Sequence, residues 1–143
     1  MSEQNYKDSP EWQKAIELAK EVSDLTKKLA KAEGMLERAT AQHICNRYAE
    51  SIALDIAEAA GRAAIPDGSV RYLSAAQGAT FRLETRLLLD AERNFVARSD
   101  VEAALKLCGE LGALLAERLN TLAAAREERL NRRPRPNDDA WID

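Results

Sequence analysis

Aromatic residues make up only 5% of the 143-residue chain, which also holds just six glycines, four prolines, two cysteines and one histidine. So little aromatic, glycine and proline content starves strands and tight turns, and a β-rich fold is excluded. With His43 as the single histidine, neither a two-histidine metal site nor the Glu-x-x-His pairs of a di-iron bundle can be assembled within one chain; Thr40 stands three residues before it. Cys45 and Cys108 belong to no CxxC pattern and read as buried free thiols of a reducing cytosol. A His43–Cys45 nucleophile pair fails on geometry, because helix residues two apart point about 200° away from each other. The glycines are scattered at Gly34, Gly61, Gly68, Gly78, Gly109 and Gly112, outside any GxGxxG or GxxxxGK phosphate loop. No catalytic residue, cofactor or metal is therefore expected. A formal net charge of −3 and a pI near 5.4 deny the molecule the long-range positive field that attracts phosphate backbones. The longest aliphatic run, Leu87-Leu88-Leu89, is far too short to span a membrane, and residues 1–13 show no basic segment followed by an apolar one. Secretion and membrane insertion are not expected, and a cytoplasmic location is.

What the chain does contain is 45% hydrophobic and 31% charged residues, dominated by good helix formers. The length suits one domain with its own core. Ser9, Pro10 and Glu11 form a helix start with a hydroxyl cap, a first-turn proline and a carboxylate at the positive end. The first helix then carries Trp12, Ile16, Ala19, Val22, Leu25 and Leu29 inward and stops near Gly34. A second helix is expected over 37–64, ended by Pro66-Asp67-Gly68, with Ser69 capping a third over 70–94. The third places Leu73, Ala76, Thr80, Leu83, Leu87 and Ala91 in the core. Ser99-Asp100-Val101-Glu102 has capping-box spacing and opens a fourth helix that directs Val101, Leu105, Cys108, Leu111, Leu115, Leu119 and Leu122 inward before Pro134 stops it. Four long helices with short connections predict an all-α, antiparallel up-down-up-down four-helix bundle over 9–131, followed by an extended C-terminal tail over 132–143.

The second helix is unusual in the width of its apolar face. Ile44, Tyr48, Ile52, Ile56, Ala59 and Ala63 merge with Cys45, Ala49, Ala53, Ala57, Ala60 and Ala64 into an arc of about 220°. A surface helix needs a stripe of about 100°. Such a helix wants two partners, its own bundle and a second copy of the chain. On the third helix Val70, Phe81 and Leu88 form a further apolar ribbon about 100° from the core stripe. The expected homo-oligomer interface therefore comprises Ala53, Ala57, Ala60, Val70, Phe81 and Leu88, joined by Trp141, an odd residue for a purely polar tail.

Two polar features remain. Arg47, Ser51, Asp55, Glu58 and Arg62 recur at helical spacing along one face of the second helix. They read either as a solvated salt-bridge ladder or as a desolvated network that fixes register at a helix or subunit junction. Arg126, Arg129, Arg132, Arg133 and Arg135 are the one dense basic cluster, which reads as a helix end plus polar tail. The alternative is a nucleic-acid contact through Arg132, Arg133 and Arg135, with the Lys20, Lys27 and Lys31 face of the first helix in support.

The segment Ser51-Ile52-Ala53-Leu54-Asp55-Ile56-Ala57-Glu58-Ala59-Ala60-Gly61-Arg62 resembles the S-I-x-x-N-I-A-E-G-x-x-R signature of bacterial four-helix-bundle proteins first noted in intervening sequences of ribosomal RNA genes. Gly78-Ala79-Thr80-Phe81-Arg82-Leu83-Glu84-Thr85 is similar to that family's G-S-x-x-E-L-E-T block. Asp55 stands where the family has Asn, Ala59 where it has Gly, Ala79 where it has Ser and Arg82 where it has Glu. The resemblance implies a small cytosolic antiparallel bundle assembled into a homopentameric ring, with no assigned activity. A related branch, the accessory proteins of diversity-generating retroelements, implies the same fold with nucleic acid and a reverse transcriptase as partners. The leading expectation is a non-enzymatic oligomerisation module, and the alternative a nucleic-acid-binding accessory protein.

Overall fold

The computed structural model describes residues 5–30 and 36–132. A 3₁₀ turn at Tyr6–Asp8 leads into α1 (Pro10–Ala30), followed by α2 (Leu36–Gly61), α3 (Val70–Glu92) and α4 (Arg98–Arg132). The start of α1 is as expected: the Trp12 amide donates to Ser9 Oγ at 3.2 Å, and Pro10 fills the first helical position.

Each helix packs on its neighbours in chain order and α4 closes on α1, with no diagonal pairing among the described residues. Side-chain pairs show the directions. Early α1 meets late α4 (Glu11 with Arg118, Lys14 with Glu110), whereas late α1 meets early α4 (Lys28 with Asp100). Asn46 of α2 donates to Thr26 of α1 at 2.8 Å, and Cys45 of α2 donates to Asp90 near the end of α3 at 3.6 Å. At the other end of that pair, Arg62 lies 5.0 Å from the Tyr72 ring centroid. All these registers belong to an antiparallel four-helix bundle.

The core is aliphatic and small: Leu18, Val22, Ile52, Leu83, Leu87, Leu111 and Leu115 are fully buried, with Ala15, Cys45, Ala49, Ala76 and Ala104 between them. Each such leucine contributes about 1.5–3 kcal/mol by leaving water. On α1 the buried stripe is Ala15, Leu18, Val22 and Leu25, which leaves Ile16 43% exposed, contrary to the inward position expected for it. The inward face runs through Glu11 and Thr26, polar residues that a purely apolar pattern assigns to solvent. The side chain of Leu29 and the Gly34 stop lie outside the described residues.

Two element boundaries and one cap also differ from expectation. α2 ends at Gly61, so Ala63 and Ala64 stand in the exposed turn before Pro66 and do not extend the helix face. Ser69 occupies the N-cap position of α3 but makes no capping hydrogen bond. α4 begins at Arg98, one residue before Ser99, so the Ser99–Glu102 capping box does not form. The end of α3 is a Schellman motif: Asn94 takes φ 60°, its amide donates to Ala91, and the Phe95 amide donates to the Asp90 carbonyl.

The α2–α3 turn is tied to α4. Asp67, at φ 61°, accepts from Arg129 at 3.0 Å and lies 3.5 Å from Arg126. Beside it, a Cβ on Gly68 would stand 2.7 Å from the Arg62 carbonyl oxygen and 2.9 Å from Ile65 Cβ, with backbone on one side that cannot move aside cheaply. Gly68→Ala should therefore destabilise the fold by about 1–3 kcal/mol, read as a lower midpoint in urea unfolding. Gly109→Ala, whose Cβ meets nothing within 4 Å, should not.

Candidate interaction surface and end cavity

The residues proposed from sequence as an interface occupy three kinds of environment. Ala53 and Ala57 on α2, and Val70 and Leu88 on α3, are half-buried; Ala60 is exposed. Phe81 is 54% exposed. Its ring lies over Gly112 of α4, where an added Cβ would touch it at 3.8 Å, so the phenyl rests on a helix surface with no side chain of its own at that point. Trp141, Arg133 and Arg135 lie outside the described residues. Leu54, 64% exposed on α2, is a large apolar side chain on the surface that the periodic reading did not single out.

The polar stripe of α2 is not one continuous network. Glu58 and Arg62 meet at 2.8 Å, both side chains about half exposed, and Arg62 also faces Tyr72. Ser51 Oγ turns back to the Tyr48 carbonyl at 2.9 Å, and Arg47 is exposed. Asp55 is half-buried, and its burial together with the neighbouring Glu58 charge pushes its pKa above the usual carboxylate value. Of the arginine cluster, Arg126 and Arg129 pair with Asp67, and Arg132 pairs with Glu128 one turn away.

Two polar clusters, each built on a buried carboxylate, are not singled out by the sequence pattern. In the first, Asp90 is 1% exposed, accepts from Arg86 Nε at 3.1 Å and receives the Cys45 thiol. Burial raises the Asp90 pKa against the opposing pull of Arg86. The same burial, helped by the Asp90 charge, pushes the Cys45 thiol up to about 12, and Cys108 likewise to about 12 by burial. These are protonated, unreactive thiols. In the second cluster, Arg118 Nε donates to Glu11 Oε1 at 2.7 Å, while Glu11 Oε2 is buried without a hydrogen-bond partner. Glu11 and Arg118 stand in the wall of a cavity of about 270 Å³ at this end of the bundle, between Tyr6, the end of α2 and the start of α3. Its lining is otherwise mostly apolar, including Ile56, Ala59, Ala60, Leu73 and Leu122. The signal that could have flagged this site is a glutamate falling in register with Ala15, Leu18 and Val22.

Among the described residues, no group of three or more His, Cys, Asp or Glu side chains is placed to hold a metal ion, and no helix is long and apolar enough to cross a membrane. A family profile described as 23S rRNA-intervening sequence protein matches residues 7–117. The chain belongs to that family. The match covers α1 to α3 and the first part of α4 and includes both sequence blocks noted above; it carries nothing about the retroelement accessory branch. A search of curated proteins returns no match.

Ionising Asp90 should oppose folding. Because its folded-state pKa lies above the ordinary 3.8, the folded chain holds that proton more tightly than the unfolded chain does. Stability is greatest below the unfolded pKa and falls as pH rises through the folded one. The stability of Asp90→Asn relative to wild type should accordingly grow as pH increases across the acid range, measured by urea unfolding at stepped pH. In the same samples a thiol reagent at neutral pH should label Cys45 and Cys108 only after unfolding.

Proposed function

We propose that this member of the 23S rRNA-intervening sequence family is a non-enzymatic module that self-associates through the α3–α4 face. The observation that carries this reading is Phe81, a phenyl ring with more than half its surface in water, flanked along α3 by half-buried Val70 and Leu88 and seated on the bare backbone of Gly112. A large aromatic over a flat, small-residue strip is the kind of anchor on which interface energy concentrates. Ala53, Ala57 and Ala60 add a second, low-relief surface on α2 that allows close helix approach. The stoichiometry we propose is a homopentameric ring, the arrangement the family resemblance implies. Among the described residues neither cysteine is placed as a nucleophile beside a base: both thiols are buried and protonated, and His43 is exposed on α2.

The nucleic-acid reading draws less support. The basic residues at the end of α4 that the structure describes are matched by Asp67 and Glu128, which reduces the positive field available to a phosphate backbone.

Light scattering of the purified chain at micromolar concentration should give a mass several times that of one chain. Phe81→Lys should weaken association by about 30-fold or more, the loss of one anchor worth about 2 kcal/mol, with helix content by circular dichroism unchanged. A wild-type monomer at that concentration would overturn the reading.

A further inference from the structure

The Ser69 hydroxyl is left unclaimed at a place where the fold leaves space. Ser69 is 8% exposed at the N-cap position of α3, yet it makes no capping hydrogen bond. Its oxygen is not sealed in the interior, for Glu11 Oε2 is the one sealed side-chain oxygen or nitrogen without a partner among the described residues. The hydroxyl therefore opens onto the end cavity, whose wall Ser69 forms in part. Beside it, at the positive end of α3, the Arg71 and Tyr72 amides have no backbone acceptor among the described residues. This corner of the wall offers donors and lacks an acceptor.

The rest of the cavity specifies the body of an occupant. Ile56, Leu73 and Leu122 make its wall apolar. A cavity of about 150 Å³ takes one benzene ring, so about 270 Å³ has room for a chain of about eight carbons. Charge selects the head group. Glu11 and Arg118 neutralise each other in an ion pair at 2.7 Å. On the Ser69 side the cavity adjoins a smaller hollow of about 150 Å³, with which it shares Ala63, Ser69 and Leu122, and which Arg129 lines. There Arg126 and Arg129 share the one carboxylate of Asp67, which leaves positive charge in excess. We propose that the end cavity binds a medium-chain aliphatic carboxylate, its alkyl chain against Ile56, Leu73 and Leu122 and its carboxylate accepting from the Ser69 hydroxyl. The site belongs to a single chain and stands whether or not copies associate.

The test titrates octanoate and octylammonium into the full chain carrying carbon-13-labelled isoleucine methyls, the Ile56 resonance assigned with Ile56→Val. Octanoate should shift the Ile56 methyl saturably, and octylammonium should bind at least about tenfold more weakly. Ser69→Ala removes a hydroxyl that caps nothing, so the fold should keep its stability while octanoate binds about tenfold more weakly. Ala63→Phe, in the exposed turn at the cavity wall, should abolish the shift with helix content by circular dichroism unchanged. No saturable shift in wild type, equal affinity for the two probes, or octanoate binding unaltered by Ser69→Ala overturns the proposal. A shift that is retained in Phe81→Lys supports a site within one chain, separately from the fate of the self-association reading. One that is lost in Phe81→Lys overturns it, placing the site between copies.

Discussion

Close approach of helices lined with alanine is the constraint from which the rest of this structure follows. Between the leucines, the core positions are filled by Ala15, Ala41, Ala49, Ala59, Ala76, Ala79 and Ala104 and by two cysteines, with no buried aromatic ring among the described residues. Small side chains hold their contacts only if backbones come near, since a gap of a fraction of an ångström forfeits much of the dispersion energy. A square of four helices satisfies this by letting each pack on two neighbours. The aromatics are consequently displaced to the periphery. Trp12 pairs edge-on with Tyr6 at one end, Tyr72 lies beneath Arg62, and Phe81 is left at the surface.

An alanine-rich core is permissive about register, because one small side chain can replace another at a modest cost. The buried polar groups answer this. Thr26 with Asn46 sets α1 against α2, Asp90 with Cys45 sets α2 against α3, and Glu11 with Arg118 sets α1 against α4. Each tie has one partner position, and sliding a helix by one turn would leave a buried oxygen without a donor. Their value lies in the alternatives they exclude, because a single hydrogen bond adds only about 0.5–1.5 kcal/mol net once desolvation is counted.

This division of labour explains what could be read from the residues in order. Four helices, their antiparallel order and most of the leucine positions were legible, since Leu83, Leu87, Leu111 and Leu115 recur with helical period and were placed inward. The start of α1 was legible too, from Ser9 and Pro10. Ile16 was misplaced because the α1 stripe passes through Glu11 and Thr26, and hydrophobic periodicity gives no weight to a charged residue whose partner lies more than a hundred positions away. The capping box at Ser99 failed for a local reason: the chain reaches α4 through an αL turn at Asn94 that lets the helix begin at Arg98. The α2 face is shorter than its composition predicts, for the helix ends at Gly61, and Ala63 borders the end cavity instead of extending the helix.

The same end of the bundle gathers the features that the core does not need. Arg118 of α4 pairs with Glu11 in the first turn of α1 and α4 continues to Arg132, so its last turns pass the start of α1 and depend on the α2–α3 turn for company. Asp67 supplies it by accepting from Arg129 and approaching Arg126, and Gly68 makes the turn tight enough for that aspartate to reach. The cost is a gap, because Ala59, Ala60 and Ala63 are too small to fill the space between the end of α2 and the first turn of α1. Phe81 stands nearer the middle of its helix, over Gly112, so the exposed ring and the end cavity are separate surfaces. Phe81 over Gly112 and the cavity walled by Ile56, Leu73 and Leu122 share no residue, so a substitution at the one leaves the packing of the other in place.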